Sequence, residues 1–110
     1  MNNTVYYLPG MGGRLNTGLG RGIYDLGFKV VGRERRGDFQ KYSFQEKIDL
    51  VANDLEKHFW YEDAKVVVNS FGAYLFFHAQ LQMRPYPGKV LILSPIIGGS
   101  NHDEVLPASC

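Results

Sequence analysis

Ser70 is the residue whose type and setting best suit covalent chemistry. It stands in Val68-Asn69-Ser70-Phe71-Gly72, where the apolar run Lys65-Val66-Val67-Val68 stops and the helix-like run Ala73-Tyr74-Leu75-Phe76-Phe77-His78-Ala79 begins. A serine on a strand-to-helix turn, with glycine two residues on, predicts a strained backbone that lifts Oγ out at the end of a sheet. The first N–H groups of the helix then point at whatever Oγ attacks. Acyl transfer needs a nucleophile, a base to take its proton, and donors aimed at the oxyanion. Ser70 offers the nucleophile, and the N–H of Phe71, the next residue, is one natural donor. The loop Pro9-Gly10-Met11-Gly12-Gly13 brings a second, the N–H of Met11, because glycines let a backbone approach a substrate oxygen without Cβ interference.

The base must come from three histidines. His58 ends a helical stretch, where a histidine favours the helix C-terminus, and reads as a surface residue. His78 lies about two turns past Ser70, pointing away from it, and reads as structural. His102 follows the fourth apolar run, near the rim where the site should be. It is the candidate base, with Asp103 or Glu104 as the group that orients it. A triad is defined by geometry, so these are assignments by position along the chain.

The elements that must position these residues follow from periodicity and punctuation. Val5-Tyr6-Tyr7-Leu8 reads as a strand stopped by Pro9-Gly10, and Leu15, Leu19, Gly22, Ile23 and Leu26 recur at helical spacing up to Gly27. Phe28-Lys29-Val30-Val31 is a second strand, and residues 32–41 read as a charged loop. Ser43-Phe44-Gln45-Glu46 is a capping box. Behind it Phe44, Ile48, Val51, Leu55 and Phe59 fall on one helical stripe. Lys65 to Val68 is a strand buried on both faces. Ala73 to Met83 is a helix that is apolar nearly all round, hence sandwiched, and Val90-Leu91-Ile92-Leu93 is a fourth strand. Alternating strands and helices predict an α/β fold, three α/β/α layers around a parallel sheet of about four strands with three helices. The spatial order expected is 2-1-3-4. That order makes the first and third strands neighbours and joins the Met11 loop to the Ser70 turn, about 60 residues apart, at a topological switch point. Residues 1–110 read as a single domain, with 98–110 as a frayed tail.

Over residues 5 to about 97 the chain resembles the core of the α/β-hydrolase fold superfamily, the esterases, lipases and thioesterases. Leu8-Pro9-Gly10-Met11-Gly12-Gly13 resembles that family's oxyanion loop, with Pro9 where the family usually has His. Leu26-Gly27-Phe28-Lys29-Val30-Val31, followed by Arg36-Gly37-Asp38, resembles its Gly-aromatic-x-Val … Arg-Gly segment. Val68-Asn69-Ser70-Phe71-Gly72 resembles Gly-x-Ser-x-Gly, and Leu91-Ile92-Leu93-Ser94-Pro95 the strand that follows. The resemblance implies a serine hydrolase acting on a carboxylic ester or thioester, without a cofactor, and the strand order 2-1-3-4 is that of a minimal hydrolase-like core. Val68 stands in place of the first elbow glycine, which predicts a looser or slightly reshaped turn. The acid and base normally lie on two further strands past the segment matching Ser94-Pro95.

Bulk properties narrow the alternatives. A net charge of +1 leaves no electrostatic footprint for nucleic acid. No apolar run reaches the ~20 residues a membrane span needs. Cys110 is the only cysteine, so no internal disulfide forms, and the N-terminus carries no signal-peptide pattern. Together these point to the cytoplasm. The partner implied is a small ester or acyl substrate, and the open edge of the fourth strand invites pairing with a second copy. Two other readings stay open. One is a hydrolase-like frame without catalysis, a binding or assembly module. The other is a nucleotide or phosphate site at the Gly10–Gly13 loop and the following helix N-terminus, although Gly18-Leu19-Gly20-Arg21-Gly22 fails the dinucleotide spacing at Ile23.

Overall fold

Val66, Val67 and Val68 are β-branched and apolar on both faces, and they form the middle of a strand with a neighbour on each side. The computed structural model describes residues 3–10, 13–34 and 37–93. Its four strands are β1 (Thr4–Leu8), β2 (Lys29–Gly32), β3 (Lys65–Asn69) and β4 (Lys89–Leu93), all parallel, in the spatial order β2-β1-β3-β4. The register sets Val5 opposite Lys65 and Leu8 opposite Val68, and Asn69 opposite Leu93 on the far side. This is the sheet order expected above.

The helices are α1 (Gly18–Asp25), α2 (Gly37–Lys41), α3 (Phe44–His58) and α4 (Phe71–Leu81). Side chains alternate across a strand, so β1 feeds two cores. Tyr6 and Leu8 pack with Val66, Val68 and the α3–α4 residues Val51, Leu55 and Phe76, while Val5 and Tyr7 pack with Val67 and Ile23 of α1. Helices therefore lie on both faces, and three layers result. The connection after β1 runs over one face and the connection after β3 over the other. The C-terminal ends of these neighbouring strands form the switch point.

Three sequence expectations change. Residues 37–41 form α2 rather than loop, because Phe39 docks into the core as a single apolar anchor too isolated to show a period. The described residues thus hold four helices, not three. Helix α4 is not sandwiched: Gly72, Ala73, Leu75, Phe76 and Ala79 are buried, whereas Tyr74 and Leu81 face solvent. Phe44 leaves the buried stripe of α3 and joins a partly exposed aromatic group with Phe71, Tyr74 and His78.

Two polar devices hold the frame. The capping box forms as read: Ser43 Oγ accepts the Glu46 N–H at 3.1 Å and Glu46 Oε1 accepts the Ser43 N–H at 2.8 Å. Just past β2, the Arg33 guanidinium donates two hydrogen bonds to Asp54 of α3, at 2.8 and 2.9 Å. The Tyr6 hydroxyl donates a third at 2.7 Å. A strand, a strand end and a helix are thereby fixed to one carboxylate. Among the described residues no helix is long and apolar enough to cross a membrane.

Candidate active site

The parallel ladder between β3 and β4 continues one residue past the strand, since the Ser70 N–H donates to the Leu93 carbonyl at 3.1 Å. The chain then turns at once into α4, where the Ala73 and Tyr74 N–H groups donate to the Ser70 carbonyl at 2.9 and 3.4 Å. Held at both ends, Ser70 takes φ 53° and ψ −118°, and it is the only non-glycine with positive φ among the described residues. Such a conformation costs ~1–3 kcal/mol and persists where the surroundings over-determine it. A serine opening a helix usually lies extended and folds its hydroxyl back on the first turn. Ser70 does neither: it makes no side-chain cap bond. Its Oγ is left for other work, on a residue that is half-buried.

Two glycines make this turn fit. A Cβ on Gly72 would sit 2.1 Å from the Leu8 carbonyl oxygen, so only glycine lets α4 start this close to the end of β1. On the other side, a Cβ on Gly10 would lie 3.1 Å from Ser70 Cβ and 3.5 Å from Ser70 Oγ. Gly10 is thus the immediate neighbour of the hydroxyl. The Gly13 N–H donates to the Gly10 carbonyl at 2.9 Å and closes the loop across residues 10–13. The first-strand loop and the Ser70 turn meet as the strand order requires.

Two surfaces flank the serine. On the α1 side an open cleft of about 270 Å³ is lined by Gly10, Asn69, Tyr7, Arg14 and Thr17, among others. Tyr7 is buried there, and burial pushes its phenol pKa up, opposed by a hydrogen bond with the Asn69 side chain. On the α3 side Phe71 leads into the aromatic group: its ring centroid lies 5.7 Å from Tyr74 and 6.3 Å from Phe44. His78 packs edge-on to Tyr74 and Phe44 at 4.7 and 5.1 Å.

Of the site residues read from the sequence, Ser70 immediately precedes α4 and Phe71 is its first residue. Met11, His102 and Asp103 lie outside the described residues. His58 is the exposed last residue of α3, and His78 belongs to the aromatic group. Val68 is where the sequence predicts a looser or slightly reshaped turn. That side chain is fully buried in a strand that runs regularly to Asn69, and the strain falls on Ser70 alone. Sequence reasoning named the glycine loop but missed that Gly10 itself touches the serine, and it missed the Tyr7–Asn69 pair. Gly10 could have been found from the strand order, since it follows the end of the strand next to the serine's own. Among the described residues no group of three His, Cys, Asp or Glu is placed to hold a metal ion. No family model, no curated protein and no solved structure matches the chain.

Proposed function

We propose that this chain is an α/β-hydrolase-like serine hydrolase acting on a carboxylic ester or thioester, with Ser70 as nucleophile. One observation carries the reading: a serine held at φ 53°, ψ −118° between a parallel strand and its helix, its hydroxyl uncommitted to capping and faced by Gly10. Strain of this kind concentrates at functional sites.

In the proposed reaction Ser70 Oγ attacks the acyl carbon while His102 takes the hydroxyl proton and Asp103 holds the imidazole in orientation. The electron pair of the carbonyl moves to its oxygen, which the Phe71 and Met11 N–H groups receive as an oxyanion. Collapse expels the alcohol or thiol, which takes the proton back from the imidazole. Water, deprotonated in the same way, then frees the acid and regenerates the serine.

Hydrolysis of short-chain p-nitrophenyl esters tests this. The expected result is turnover above buffer that falls steeply in Ser70→Ala of unchanged fold, judged by circular dichroism. Turnover that persists undiminished in Ser70→Ala overturns it. A partial site is still detectable, because an oxyanion hole with binding alone leaves a residual ~10³–10⁴-fold acceleration over water. His102→Ala separates the two cases: a steep loss of rate is expected if the imidazole serves Ser70.

A further inference from the structure

The cleft on the α1 side of Ser70 is unlike the aromatic surface on the other. It begins at Gly10 and Asn69, the two residues that flank the serine's hydroxyl and its backbone, and extends past Gly13 to Thr17. Among the described residues Arg14 is the single charged one lining it. Of the other arginines among the described residues, Arg33 pairs with Asp54, Arg21 with Asp25, and Arg84 stacks over the Trp60 ring. Arg14 is paired with no carboxylate among the described residues. Glu34, whose Oε2 accepts the Leu15 N–H at 2.9 Å, is not part of the cleft wall. The other polar side chains lining it among the described residues, the Tyr7 and Thr17 hydroxyls and the Asn69 amide, are neutral.

We propose that Arg14 is a specificity residue: the cleft accepts an anionic oxygen group, carboxylate or phosphate, borne by the substrate a few bonds from its scissile carbonyl. This rests on the reading of Ser70 given above and adds the substrate class to it. A guanidinium presents a fork of donors that matches either anion. A cleft of about 270 Å³ suits a short acidic arm rather than a long acyl chain. The apolar remainder of the ester then lies toward Phe71 and Phe44.

The test separates binding from turnover. Ser70→Ala removes the proposed chemistry and leaves the cleft, so ligands are titrated into it by NMR, using monomethyl succinate, methyl phosphate and neutral methyl butyrate. The expected result is that one of the two anions binds ~10-fold or more tightly than methyl butyrate, as a charged hydrogen bond provides. Its shifts should centre on Gly10, Gly13 and Thr17. Arg14→Gln in the same background should abolish the preference without altering the rest of the spectrum. Preference for monomethyl succinate identifies a carboxylate arm and preference for methyl phosphate a phosphate arm. Equal binding of all three, or a preference that survives Arg14→Gln, overturns the proposal. In the wild-type chain, anion preference with no ester turnover would uphold the cleft and reject the Ser70 reading. Turnover that is indifferent to charge would do the reverse.

Discussion

At the scale of single residues the account turns on how Ser70 is held. Its backbone conformation is unfavourable for any side chain with a Cβ, so two substitutions that both delete the hydroxyl should differ in stability. Ser70→Ala keeps the strain and Ser70→Gly releases it. After allowing for glycine's greater freedom in the unfolded chain, urea denaturation should find Ser70→Gly more stable than Ser70→Ala by about 1 kcal/mol. Equal stabilities would mean that the turn stores no strain. The neighbouring glycines have different margins. At Gly72 a methyl would collide with the Leu8 carbonyl at 2.1 Å, and Gly72→Ala should destabilise by about 2 kcal/mol or more. At Gly10 the methyl would need only a few tenths of an ångström from Ser70, so Gly10→Ala should fold normally yet slow ester turnover on the order of 10-fold. The serine and its glycine at position 72 were legible in the sequence because residue type and spacing carry them. Gly10's contact was not, because only the strand order makes it a neighbour.

At the scale of elements, local signals were reliable where the chemistry is local and failed where packing decides. The capping box of α3 is written in four consecutive residues and forms as read. Ser43→Ala should lower stability by about 1 kcal/mol in the same denaturation assay. Helix α2 escaped because it rests on Phe39 alone, and α4 was read as buried all round because its composition hides the exposure of Tyr74 and Leu81. The clamp of Arg33 and Tyr6 on Asp54 joins residues distant in sequence and carried no pattern. It also has a pH signature. Burial first, and the Asp54 charge second, hold the Tyr6 phenol well above its usual 10.0. Burial likewise raises Tyr7 and Tyr86. The folded chain therefore keeps phenolic protons that the unfolded chain releases, so this stability is complete below pH ~10 and declines as pH rises beyond it. Thermal melts from pH 8 to 11.5 should show a midpoint falling above pH ~10, more gently in Tyr6→Phe. A flat profile across that range would contradict the buried clamp.

At the scale of the whole molecule, strand alternation and the right-handed crossover rule give a three-layer α/β/α frame, and the sheet order β2-β1-β3-β4 matches the one expected of a hydrolase-like core. That frame brings the first loop to the serine turn, which no local motif could specify. The proposed base was placed by its position along the chain, and His102 lies outside the described residues. The central claim is therefore the activation of Ser70 itself. The most direct measurement is intact-mass analysis of the folded chain after a fluorophosphonate probe, with the labelled peptide sequenced and Ser70→Ala run beside it. The account expects one adduct per chain within minutes, on Ser70, absent from Ser70→Ala. A folded chain that takes no label, or one labelled equally well without Ser70, would contradict it.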